Sequence, residues 1–123
     1  MNNYTVAGYG GTSVGFGDRA AILVVDFQLS FTNPKYASGR SEHVHSAVSE
    51  TAKLLTVARK HDLPVASCNV AWNGPEDMGH WKVTSLYDGS FFKGHESTEI
   101  DDRVYNPTYD FCFTKSAPSI FFQ

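Results

Sequence analysis

The chain has 123 residues, of which 41% are hydrophobic and 14% aromatic. That is enough for one cored domain and excludes a disordered chain. Its net charge of -3 and pI near 5.9 lack the basic excess of a nucleic-acid binder. The longest apolar run, residues 20–25, is far short of the about 20 residues that span a bilayer as a helix.

The opening MNNYTVAGYGG lacks the charged-then-apolar order of a signal peptide. Five glycines fall between Gly8 and Gly17. They have no strand before them and no Gly-Lys-Ser/Thr after them, so they read as a flexible lead-in and not as a phosphate loop. Residues 20–27, Ala-Ala-Ile-Leu-Val-Val-Asp-Phe, form a continuous apolar run rich in β-branched residues. This predicts a strand covered on both faces. Loop signals follow at Asn33-Pro34 and Gly39, and Ser41 is placed to cap a helix. Apolar and small residues at 44, 47, 48, 51, 54, 55 and 58 predict that helix as far as about Lys60, and Pro64 closes it. Residues 64–72 read as a second strand, which makes a β-α-β unit and a parallel sheet. Residues 73–107 show no clean period. A segment of that length in a small domain often lines a site. Its acidic run, residues 96–102, reads as a solvated loop or helix start. Residues 109–115 read as a third strand. Residues 120–122 are apolar and stand just before the end at Gln123, which predicts a domain truncated after the third strand. Cys68 and Cys112 both lie in strand-like stretches and read as reduced core thiols, which places the chain in the cytoplasm.

Ligands of open parallel sheets bind at the carboxyl ends of the strands. Asp26 closes the first apolar run and Lys115 closes the third. A carboxylate after Ile-Leu-Val-Val either caps or pairs structurally or does chemical work, because burying it unpaired is costly. Together the two charges predict an ion pair in a crevice, with their strands side by side. The five histidines, at 43, 45, 61, 80 and 95, show no metal-ligand spacing, so no metal is expected. Trp72, His80 and Trp81 are candidates for lining a pocket.

The segment from Gly15 to Gln28, with Phe31 just beyond, resembles the opening of the isochorismatase-like cysteine hydrolases. The Gly-Phe-Gly lead-in is similar to the branch that holds N-carbamoylsarcosine and maleamate amidohydrolases. The segment from Phe113 to Phe122 resembles the surroundings of that family's catalytic lysine. Trp81-Lys-Val-Thr-Ser-Leu86, with Asn106-Pro107, fits the connecting region.

The resemblance covers nearly all of the chain. It implies a three-layer α/β/α fold with a parallel, Rossmann-like sheet, of which residues 1–123 are the N-terminal portion. It also implies a cofactor-free Asp-Lys-Cys mechanism on the C–N bond of a small carboxylated amide or carbamoyl substrate. Asp26 and Lys115 match the first two members. Neither cysteine matches the third, which in the family follows a later strand. Phe31, Trp81 and Lys82 are then the substrate-binding candidates, and Lys82 or Arg40 could meet a substrate anion. The partners implied are a small-molecule amide and, in the full-length form, further copies of the chain, with no nucleic acid and no membrane. The competing readings are an inactive, truncated relative that only folds or associates, and an unrelated flavodoxin-like binding module.

Overall fold

The computed structural model describes residues 3–13 and 15–122. Gln123, where the sequence reading sets the end of the domain, lies outside the described residues. A single helical turn, α1 (Asn3–Val6), precedes the glycine-rich lead-in. The first strand, β1, is Ile22–Val25. One turn of helix, α2 (Leu29–Thr32), leads to the long helix α3 (Glu42–Lys60). Strands β2 (Val65–Val70) and β3 (Phe111–Lys115) complete the sheet. These are the strands and the helix that the sequence predicts, with the strands shorter at their ends.

Helix α3 forms because its apolar residues recur on one face. Val48, Leu55 and Ala58 are fully buried there and pack on Val24 and Val65 of the sheet and on Val104. Each large aliphatic side chain so enclosed contributes about 1.5–3 kcal/mol. Ser41 stands at the N-cap, yet its side chain makes no capping hydrogen bond. Its carbonyl instead accepts from the Val44 and His45 N–H groups. The loop before the helix is closed by contact. A Cβ on Gly39 would lie 2.1 Å from the Asn33 carbonyl oxygen, so only glycine lets those two backbones meet.

The three strands are parallel in the order β1-β2-β3. The sequence reading placed the strand of Asp26 beside that of Lys115, and the structure corrects this: β2 lies between them. The register sets Val25, Cys68 and Phe113 in one row, and Val70 beside Lys115. Side chains alternate along each strand, so Val24 and Val65 face α3 while Leu23, Val25 and Phe111 face the other way. On that second face Leu23, Val25 and Phe111 are exposed by 40%, 36% and 67%. Phe121 and Phe122 are also exposed. Of the three layers expected, the described residues therefore supply the parallel sheet and one helical layer.

Two further expectations are revised. Cys68 is buried, but Cys112 is exposed, because β3 is an outer strand with both faces partly open. The acidic run is not simply solvated. Glu96–Thr98 forms a 3-10 turn, and Ser97, Thr98 and Asp101 are buried. Asp101 is paired with Arg103 at 2.5 Å. Its burial pushes the carboxyl up, but hydrogen bonds from Arg103, Thr32 and the Arg103 backbone outweigh that and hold it below the usual carboxylate range.

Candidate active site

Asp26 is the first residue past β1. Its N–H still donates to the Cys68 carbonyl at 3.0 Å, which carries the ladder one step beyond the strand. Its φ of +61° then turns the chain sharply. This left-handed conformation disfavours most residues but is open to Asp and Asn, whose short polar side chains tolerate it. The sheet thus ends by lifting a carboxylate over its own carboxyl edge.

Gln28, two residues on, fixes that turn. Its fully buried side chain imitates a neighbouring strand. The Val70 N–H donates to its Oε1 at 2.7 Å, and its Nε2 donates to the Val70 carbonyl at 3.2 Å. The loop after Asp26 is so tied to the end of β2. Sequence reasoning assigns Gln28 no role, because a side chain standing in for a peptide group leaves no periodic trace.

Lys115 ends β3 and is 2% exposed. Its Nζ lies 3.1 Å from Asp26 Oδ2, bridging over the end of β2. It also donates to the carbonyls of Ala117 at 3.3 Å and Pro118 at 2.9 Å. The turn that presents those carbonyls is held by Trp72, whose indole N–H donates to the Ser116 carbonyl at 2.8 Å. The Asp26 carboxylate is about one-third exposed, but its Oδ1 is buried and has no hydrogen-bond partner among the described residues.

The pair opens on a cavity of about 220 Å³. Its apolar wall includes Phe31, Trp72, Trp81, Leu86, Phe91 and Pro118. The rings pack on one another, with centroids 5.4 Å apart for Trp72 and Trp81 and 5.5 Å apart for Phe31 and Phe91. The segment without a period therefore lines this cavity through Trp81, Leu86 and Phe91. It is pinned in place by Trp72, whose N–H donates to the Phe91 carbonyl and whose carbonyl accepts from the Lys93 N–H. Of the sequence candidates, Asp26, Lys115, Phe31 and Trp81 meet at this cavity. Lys82 is exposed and outside its lining, and Arg40 donates to the Pro34 carbonyl. A larger concavity, about 680 Å³, sits at the opposite end of the strands around Asp18, Arg19, His61 and Asp62. All four of those side chains are exposed. The smaller cavity, with its ion pair to a buried lysine, is the better candidate for chemistry.

Neither cysteine is placed to attack a ligand in that cavity. Cys68 is wholly buried. Burial pushes its thiol up, opposed by the Asp26 backbone N–H. Cys112 pairs with Ser67, one step out of phase with Lys115, and so leaves the opposite face of the sheet. Among the described residues no cluster of three or more His, Cys, Asp or Glu could hold a metal ion. Among the described residues no helix is long and apolar enough to cross a membrane.

Residues 20–123 match the model of the isochorismatase domain family. The chain is 28% identical over 120 residues to maleamate amidohydrolase of Pseudomonas putida, covering 94% of this chain and 54% of that protein. Its structure is similar to N-carbamoylsarcosine amidase of Thermoplasma acidophilum, with a TM-score of 0.66 and 23% identity over 85% of this chain and 56% of that one. It is also similar to an isochorismatase family protein of Desulfovibrio vulgaris, with a TM-score of 0.67 and 20% identity over 85% and 57%. The chain thus spans a little over half the length of these relatives.

Proposed function

Since the chain belongs to the isochorismatase family, we propose that it carries the Asp-Lys portion of a hydrolase site that cleaves the C–N bond of a small amide or carbamoyl compound. The observation that carries this reading is the ion pair of Asp26 with the buried Lys115, set at the carboxyl ends of parallel strands on the rim of an aromatic cavity. Stability alone is a weak reason to bring two chain segments 89 residues apart to a pair with a buried lysine, because enclosing an ammonium costs several kcal/mol, on the order of what the pairing returns.

In this reading the nucleophile is a cysteine thiolate. Asp26 takes the thiol proton and the Lys115 ammonium stabilises the sulfur anion. The thiolate adds to the carbonyl carbon, and backbone N–H groups hold the oxyanion. The C–N bond then breaks, with the proton passing from Asp26 to the departing nitrogen, and water releases the acyl group as an acid. The burial of Cys68 and the outward face of Cys112 speak against either in this role, and the reading assigns the thiol to a cysteine outside these 123 residues. That placement favours a second reading for the 123 residues by themselves: a fold that binds amides without hydrolysing them. The two free thiols suit a reducing, cytoplasmic setting.

The test is ammonia release from small amides. It compares the chain alone with a fusion to the part of the Pseudomonas putida relative that lies beyond the match. The chain alone should be inactive. The fusion should release ammonia, and Asp26→Asn or Lys115→Ala should abolish it. Release by the chain alone that disappears with Cys68→Ser or Cys112→Ser would overturn the assignment of the nucleophile.

A further inference from the structure

We infer that Trp72 is a positioning residue for Lys115: its indole N–H holds the turn whose carbonyls fix the ammonium against Asp26. The inference rests on the amidase reading and adds to its site a residue that acts through another.

Lys115 ends β3, and the chain reverses directly after it. The reversal aims the carbonyls of Ala117 and Pro118 back at the ammonium of the same lysine, at 3.3 and 2.9 Å. With Asp26 Oδ2 at 3.1 Å these make three acceptors for the three N–H groups of the ammonium. Two of the three therefore depend on the shape of one turn. That turn has little of its own to hold it. Ser116, Pro118 and Ser119 are exposed, and a proline has no N–H to give. The N–H groups of Phe121 and Phe122 donate only within the turn, to Ser119. Among the described residues, the one hydrogen bond that reaches residues 116–122 from outside residues 115–122 comes from the Trp72 indole. It ends on the Ser116 carbonyl at 2.8 Å.

The indole acts from a fixed base. Trp72 is 1% exposed. Its N–H donates to the Phe91 carbonyl at 3.0 Å, and its carbonyl accepts from the Lys93 N–H at 2.8 Å. Its ring meets those of Trp81 and Phe91, with centroids 5.4 and 6.2 Å away. The residue before it takes part as well, since the Ala71 N–H donates to the Lys115 carbonyl at 3.1 Å. Two consecutive residues past β2 thus grip two consecutive carbonyls at the end of β3. Trp81 has no such part: its indole donates to the Met78 carbonyl in its own loop, at 2.6 Å. Removing the Trp72 N–H alone leaves the Ser116 carbonyl to water and releases the turn, and with it two of the acceptors that hold Lys115.

The ammonium protons report this without catalysis. The chain has six lysines, and the five other than Lys115 are exposed, so their ammonium protons exchange quickly with water. An enclosed and fully bonded ammonium exchanges slowly. A chain labelled with nitrogen-15 at lysine should show one slow ammonium signal, which Lys115→Met removes. Trp72→Phe keeps an aromatic ring and loses the N–H, and it should speed the exchange of that signal by about tenfold or more. If Trp72→Phe does not fold, β-(3-benzothienyl)alanine at position 72 keeps the shape of the indole with sulfur in place of the N–H. Trp81→Phe should change the rate by less than about threefold. Equal acceleration by Trp81→Phe would assign the effect to ring packing and overturn the inference. An unchanged rate in the Trp72 variants, or no slow ammonium in the parent chain, would overturn it too. These outcomes leave the amidase reading standing, since that reading is tested by Asp26→Asn and Lys115→Ala in the fusion. In the active fusion, Trp72→Phe should lower kcat for ammonia release by about tenfold or more. A change in KM alone would make Trp72 a binding residue only, and would overturn the positioning role.

Discussion

Substituting the two members of the ion pair one at a time should produce unequal losses of stability, and the direction follows from their burial. Lys115 is 2% exposed and Asp26 33% exposed. In Asp26→Asn the ammonium stays enclosed, holding two carbonyls and an amide oxygen but no countercharge. Asparagine also suits the left-handed backbone at this position, so strain does not confuse the comparison. Breaking a fully enclosed pair from one side costs about 3–5 kcal/mol, and the partial exposure of Asp26 lowers this to roughly 2 kcal/mol. In Lys115→Met the buried charge itself is removed, a side chain of similar length fills its path, and the carboxylate left behind can hydrate. That change should cost less than about 1 kcal/mol. Urea unfolding followed by tryptophan emission separates the two. At a slope of about 1.5 kcal/mol/M, Asp26→Asn should lower the midpoint by roughly 1.3 M and Lys115→Met by less than about 0.7 M. A Lys115→Met chain that loses as much stability as Asp26→Asn would refute the reasoning, since it would make the ammonium a net structural asset and not a cost retained for chemistry.

The cysteines should differ in reactivity: a thiol reagent should modify Cys112 rapidly in the folded chain and Cys68 only as the chain unfolds, and equal rates would contradict the burial of Cys68. Stability should also fall in acid through Asp101. Its folded-state carboxyl is held low, so its contribution is complete above the usual carboxylate value of about 3.9 and is lost as pH falls through the depressed value. Asp101→Asn should flatten that acid limb of the unfolding midpoint, and an unchanged limb would remove Asp101 as its cause.

The elements were legible where one period dominates. The β-branched run at 22–25 and the helical spacing after Val44 each allow a single structure, so β1 and α3 follow from local chemistry. The meeting of Asp26 and Lys115 was legible for a related reason, since charges that close two apolar strands of one parallel sheet come together at its carboxyl edge. Strand order was not legible, because it depends on which edges meet and not on either strand's composition. Phe91 and Gln28 were missed because their places come from turns and from a side chain acting as backbone, neither of which repeats along the chain. Asp101 was misread because a run of acids looks solvated until the arginine two residues later is seen folding back on it.

The free side of β1 gives Asp26 a second consequence. Among the described residues β1 pairs only with β2, so one row of backbone N–H and C=O groups along Ile22–Val25 is left as an edge. A short, uncharged run with an unpaired edge is a template on which another strand can add. It contains no proline and no lysine to deter this. The nearest charges are Arg19 before it and Asp26 directly after it, and the Asp26 charge is engaged with Lys115 on the β2 side. Substituting Asp26 for mechanistic reasons therefore loosens the carboxyl end of the strand that carries this edge. Variants at Asp26 should be compared at matched, low protein concentration, or colloidal loss will be mistaken for a defect of the site.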